Sequence, residues 1–375
     1  MNESANPGGT ATLFVCGDVM TGRGIDQILP RPADPAIHEP VMSSALGYLR
    51  LAEQRNGPIA RPVDAAYIWG SALEDLARAQ PDARIVNLET SVTTSDDYWR
   101  GKSIHYRMHP GNVSCLVAAQ IDCCVLSNNH VLDWGYGGLD ETLRSLEQSA
   151  LRTAGAGRNL AEAEQPAMIG LRGGVRLLVF AYGVMSSGIP RQWAATAARG
   201  GVNLIEEPDG RVVRRIAELI ERVRQARDLV LVSLHWGGNW GYEVPAEHRR
   251  FAHGLIDAGV DVVHGHSSHH PLAIEVYRER PVLYGCGDLL NDYEGIAGQQ
   301  RFRGDLGLLY FPRLDVATGR LIGLDMAPQQ IRRFRLTRPA RSDTKWLRDT
   351  LDRESRPFGC RVEPGEEDDL SLRWR

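Results

Sequence analysis

Asn128, Asn129, His130 and Asp133 follow directly on the apolar run Ile121 to Leu126. Amides, an imidazole and a carboxylate are costly to bury unless each finds a partner. Together they form a donor set for a divalent cation. The pattern recurs along the chain: Thr12 to Cys16 leads into Gly17-Asp18, Ala83 to Leu88 into Glu89, and Leu229 to Leu234 into His235. Asp261 to Val263 leads into His264-Gly265-His266-Ser267-Ser268-His269-His270, where four of the chain's eleven histidines lie. Crowded imidazoles cannot all stay protonated, and a divalent cation or an anionic ligand resolves the crowding. No cysteine belongs to the set, which argues against a structural zinc site. The mixture suits Mn, Fe, Zn or Mg. Two such ions about 3.5–4 Å apart polarise a substrate oxygen while a neighbouring histidine moves a proton.

Each of these groups needs a strand to carry it. Open α/β sheets gather their chemistry at the carboxyl ends of parallel strands, and the apolar runs above are expected to be those strands. Helices are expected over Ser71 to Ala79, Gly138 to Ala150, Gly210 to Ala226 and Ala246 to Ala258, from apolar spacings of three and four. The arginines of the Gly210 to Ala226 helix read as a solvated face. Strands are expected at Arg176 to Tyr182, Leu306 to Leu314, Leu321 to Met326 and Gln329 to Leu336. A hairpin is expected from Leu272 to Tyr277 and Pro281 to Tyr284. Residues 30 to 66 are proline-rich without a sustained period and read as an irregular insertion. Residues 92 to 113 read as a solvated loop whose aromatic, arginine and histidine content would also suit a substrate. Residues 185 to 204 read as a surface excursion. In the turn after Asp18, Arg23 could clamp an anionic group in bidentate fashion.

Composition bounds the function. The 375 residues carry a net charge of −4, which gives no electrostatic case for nucleic acid. The six cysteines are scattered apart from Cys123-Cys124 and read as reduced core thiols, which fits a reducing cytoplasm. Met1 to Thr12 has neither a basic start nor an apolar core, and no stretch approaches the roughly 18 apolar residues of a membrane span. Neither export nor a membrane anchor is expected.

Gly17-Asp18-Val19-Met20, Asn87-Leu88-Glu89, Asn128-Asn129-His130 with Asp133 and Gly135, His235-Trp236-Gly237, Gly265-His266 with His269, and Tyr284-Gly285-Cys286-Gly287-Asp288 resemble the ordered motifs of the CapA family. These are poly-γ-glutamate capsule synthesis proteins similar in fold to calcineurin-like metallophosphoesterases. The resemblance spans about residues 12 to 336, and 337 to 375 read as a charged helix with a final short strand or tail, packed on the domain or trailing it. It implies an α/β fold, a four-layer α/β/β/α sandwich of two mixed sheets, metallophosphatase-like, with a site for two divalent metal ions between the sheets. By the same resemblance Asp18, Glu89, Asn129, His235, His266 and His269 are metal ligands, with Glu89 as the bridging carboxylate and His270 or His264 as alternatives to His269. His130 takes the place of the general acid, Asp133 is its orienting partner, and Arg23 and His270 complete the expected catalytic set. Met20 stands where phosphoesterases have the histidine of Asp-x-His, and Val131 where an acid follows Asn-His. Both departures point away from phosphate esters. The implied substrate is a peptide or poly-γ-glutamate-like chain, attacked at an amide or epimerised at a Cα as in lasso-peptide epimerases. A non-catalytic role in a polymer-assembly complex is the third expectation.

Overall fold

A computed structural model describes residues 9–375; the reading of Met1 to Thr12 as no export signal therefore rests largely on residues outside the described ones. β1 (Thr10–Val19) lies inside the larger sheet. β2 (Ala83–Leu88) runs parallel to it on one side, followed by β3 (Cys123–Val125) and Arg152–Ala154. On the other side β1 pairs antiparallel with Leu306–Asp315, beyond which come Leu321–Ile331 and the hairpin Cys360–Pro364 with Leu370–Trp374. In the second sheet β4 (Leu229–His235) lies between Arg176–Val184 and β5 (Val262–His266), parallel to both. The hairpin Ile274–Tyr277 with Arg280–Leu283 closes its far side.

The alternation of side chains along a strand decides what each sheet face meets. Leu13 and Val15 of β1 share a hydrophobic cluster with Leu177, Val179, Leu231 and Val262 of the second sheet. Phe14 and Cys16 turn the other way, onto Leu49, Leu76, Leu143 and Leu146 of helices Leu46–Asn56, Ala72–Ala79 and Gly135–Gln148. On the outer face of the second sheet Leu178, Phe180, Val230 and Val232 meet Ile216, Ile220, Phe251 and Leu255 of helices Gly210–Val223 and Ala246–Asp257. Burying each such side chain stabilises the fold by about 1.5–3 kcal/mol. His264 ties the two sheets directly: its Nε2–H donates to the Cys16 carbonyl at 2.7 Å.

Several expectations need correction. The proline-rich insertion contains the helix Leu46–Asn56. Leu321–Ile331 is one strand rather than the start of two, with Pro328 inside it and a short separate piece at Leu336–Thr337. Residues 92 to 113 are not a solvated loop throughout, because His105, Tyr106 and Arg107 are buried. Trp193, in the supposed surface excursion, is fully buried. After the helix Arg341–Ser355 the chain ends in a hairpin that hydrogen-bonds to the larger sheet, and Leu347, Leu351, Val362 and Leu372 join the cluster between the sheets. All six cysteines are buried and unpaired. Among the described residues no helix is long and apolar enough to cross a membrane.

Candidate metal centre

Parallel pairing brings the strand ends to one edge. Asp18 sits beside Asn87 on β2 and beside Asp288 of β6 (Asp288–Leu290), which pairs parallel to β1. Gly17 allows this approach, because a Cβ there would lie 1.6 Å from the Gly287 carbonyl oxygen that accepts the Asp18 N–H at 2.9 Å. On the second sheet His235 and His266 stand in register. The next residue, Ser267, adopts φ 99°, a conformation rare for a residue with a side chain. That turn aims its N–H at Asp18 Oδ2, 3.2 Å away.

Two buried donor groups meet here, each with ligand atoms within 4.8 Å of one another: Asp18, His235 and His266, and Asp18, His269 and Asp288. Asp18 belongs to both. His235 Nδ1 lies 2.8 Å from His266 Nδ1, and His235 Nε2 lies 3.1 Å from the Asn129 Oδ1. Glu89 Oε1 approaches His235 Nε2 at 3.7 Å and His130 Nε2 at 3.8 Å. Glu89 Oε2 is buried with no hydrogen-bond partner.

The electrostatics are unfavourable without a cation. Burial and the charge of Asp288 push the Asp18 carboxyl up to about 7. Burial and Asp18 push Glu89 well above the usual carboxylate range. His235 and His266 are driven well below the ordinary histidine range, chiefly by burial. For His269 burial acts downward, but the Asp288 and Asp18 charges outweigh it and raise the group. Hard carboxylate oxygens and neutral imidazoles are the donors a divalent ion takes, and the orphaned Glu89 oxygen is an acceptor in want of one. The residues present fit such an ion.

His130 stands at the edge of this cluster. Its Nδ1 lies 2.6 Å from Asp133 Oδ2, and the Tyr106 ring packs edge-on against it at 4.6 Å. Burial lowers it to about 4. Burial alone would raise Asp133, but His130 and Lys102 hold it below the usual carboxylate range.

Of the residues singled out from sequence, Asp18, Glu89, Asn129, His130, Asp133, His235, His266 and His269 thus converge. Arg23 is not free to act as an anion clamp. Its guanidinium is buried and already held by Glu39 at 3.1 Å and by Asp292. His270 turns away from the donor groups: its ring stacks on Phe302 and its Nε2 accepts the Gly241 N–H at 3.1 Å. His264 is engaged in joining the sheets. Three neighbours are not among the expected site residues. Asp288 closes the motif Tyr284 to Asp288, and its strand-end position after an apolar run is the signal for it. Lys102, which contacts Asp133, His130 and the Asn129 carbonyl, and Tyr293, whose hydroxyl lies 3.5 Å from His269 Nε2, sit on loops with no periodic signal.

Comparison with known proteins bears on the family resemblance. Residues 12–293 match the family model described as Bacterial capsule synthesis protein PGA_cap. A protein of Mycobacterium tuberculosis (strain H37Rv) named a probable polyglutamine synthesis accessory protein is 47% identical over 94% of this chain and 93% of its own length. The capsule biosynthesis protein CapA of Bacillus anthracis is 24% identical over 75% of this chain and 60% of its own length. Among solved structures, TT1561 of Thermus thermophilus aligns over 84% of this chain and 97% of its own, at 12% identity and a TM-score of 0.38.

Proposed function

This chain belongs to the bacterial capsule synthesis protein family PGA_cap, and from that premise we propose that it is a metal-dependent enzyme acting at an amide of a peptide or poly-γ-glutamate-like substrate. The observation that carries the reading is Asp18, shared by two buried donor groups beside a Glu89 oxygen without a partner. We take the layers as α/β/β/α in the metallophosphatase manner. One hydrophobic cluster common to both sheets, with helices against their other faces, supports that arrangement.

The proposed ligands are Asp18, Asp288, His235, His266 and His269, with Glu89 and Asn129 beside them. A divalent ion held there supplies Lewis-acid polarisation of a substrate carbonyl. The chain's own residues do the rest. Asp133 fixes the His130 ring through Nδ1, which leaves Nε2 directed toward Glu89 as the atom that takes or gives a proton. The Tyr106 ring covers one side of His130 and limits access of water to it. Met20 and Val131 are fully buried apolar side chains and contribute no donor where phosphoesterases have one. This supports an amide rather than a phosphate ester as the bond attacked.

A second reading has its own observation. Two imidazole–carboxylate pairs, His130 with Asp133 and His269 with Asp288 at 2.9 Å, flank the carboxylates. Paired bases suit removal and return of a proton at a peptide Cα. Incubating the metal-loaded protein with γ-glutamyl and α-peptide substrates in deuterated water, with mass detection, separates the two. New amine termini support amide cleavage, whereas deuterium at Cα without cleavage supports epimerisation. Turnover of an aryl phosphate alone, unaltered in His130→Ala, would defeat both.

A further inference from the structure

Lys102 is one of only two lysines in a chain that is otherwise arginine-rich, the other being Lys345. It lies on a loop, yet its side chain is only 13% exposed. Its ammonium donates to the Asn129 carbonyl and to Asp133 Oδ1, stands 3.3 Å from His130 Nδ1, and lies 5.0 Å from the Trp193 ring centre. Three segments therefore meet on one compact charge: its own loop, the turn from Asn129 to Asp133, and the excursion that carries Trp193 from the second sheet. Arginine is a poor substitute in such a place, because its planar fork is wider than the single ammonium on which the Asn129 carbonyl and Asp133 Oδ1 converge.

The hydrogen bonds around Asp133 fix what this does to His130. Oδ1 is taken by Lys102, and Oδ2 accepts the Tyr106 N–H at 2.7 Å. The same Oδ2 lies 2.6 Å from His130 Nδ1, and a carboxylate held by two donors can only accept there. His130 must then carry its proton on Nδ1 and keep the lone pair of Nε2 on the Glu89 side of the ring. We infer that Lys102 is a positioning residue: it locks the Asp133 carboxylate so that His130 rests as a single Nδ1–H tautomer with Nε2 open as a proton acceptor. This rests on the reading of His130 as the proton-transfer group, and it makes that group a base rather than an acid in the resting protein.

The test needs no substrate. Full-length, metal-stripped protein with 15N-imidazole histidine is examined by NMR at one fixed alkaline pH, and the His130 signals are assigned by their loss in His130→Gln. The wild-type ring is expected to show one protonated nitrogen, Nδ1. In Lys102→Met, and incompletely reversed in Lys102→Arg, the two nitrogen signals are expected to move toward each other as both tautomers become populated. Manganese affinity measured by calorimetry should not fall in Lys102→Met, because the charge removed acts on Glu89 and His235 and opposes a second cation. Lys102→Gln, which keeps a donor for the Asn129 carbonyl but no charge, carries the measurement if the methionine variant does not fold. An unchanged His130 spectrum in the folded variants overturns the inference, as does a wild-type ring protonated on Nε2. A wild-type protein that binds no manganese but shows the Nδ1–H ring instead counts against the metal reading alone.

Discussion

Two buried charged clusters lie side by side in this molecule and differ in how completely they are satisfied. Around Arg23, the guanidinium meets Glu39 and Asp292 and lies between the rings of Tyr48 and Tyr106, 3.9 and 4.2 Å from their centres. Glu39 also accepts the Tyr48 hydroxyl, and Asp292 accepts the Gly24 N–H at 3.0 Å. Around Asp18, carboxylates of Glu89 and Asp288 crowd together with neutral imidazoles, and one Glu89 oxygen has no partner. A buried charge whose partners are all supplied by the chain holds the fold together. One whose partners are missing is arranged for something that arrives from outside.

Removing a charge should therefore have opposite consequences in the two places. Arg23→Met leaves Glu39 and Asp292 buried without their cation and is expected to cost about 3–5 kcal/mol in denaturant unfolding. Asp18→Asn relieves like-charge crowding and is expected to raise the melting temperature of the metal-free protein. If both variants lose stability alike, the contrast between the clusters fails.

A divalent ion sharpens the comparison. At an ion concentration about 100 times its dissociation constant, wild-type stability should rise by about 2.7 kcal/mol, with no rise in Asp18→Asn. Arg23→Met, where it folds, should keep the increment.

Proton linkage gives a third view of the same difference. Asp18 titrates at 3.8 in the unfolded chain and at about 7 when folded without metal, so the folded state binds its proton more tightly. Its contribution to stability is complete below about pH 4 and is lost as the pH rises to about 7. Melting temperatures of metal-free wild type should lie near those of Asp18→Asn at about pH 4 and fall progressively below them as the pH rises to about 7. Saturating metal should abolish the trend. The smallest effect belongs to His270, which lies outside both clusters. His270→Gln gives up the bond from the Gly241 N–H and should cost roughly 1 kcal/mol, while calorimetric metal affinity stays at the wild-type value.

The strand ends were legible because an apolar run that stops abruptly at Asp18, Glu89, His235 or His266 leaves a polar side chain little choice of place. What sequence hid was set by partners distant along the chain. Arg23 looks like a free clamp until Asp292, far away in sequence, is seen to hold it. Asp288 belongs to the site only because β6 pairs with β1 beyond Gly287. Lys102 and Tyr106 sit in a polar stretch without period, and their burial comes from packing on Trp193, His130 and Trp134 rather than from any local pattern. Pro328 reads as the end of a strand because it has no N–H to donate. It is nevertheless accommodated opposite Leu308, and the next residue, Gln329, is buried against Asp75 at 2.7 Å.

Calorimetric titration of the metal-stripped protein with manganese at pH 6.5, repeated in buffers of different ionisation heat, tests the central claim most directly. Saturable binding that releases protons, lost in Asp18→Asn and retained in His270→Gln, is the predicted result. Absence of binding in the wild type, or equal binding in wild type and Asp18→Asn, would contradict it.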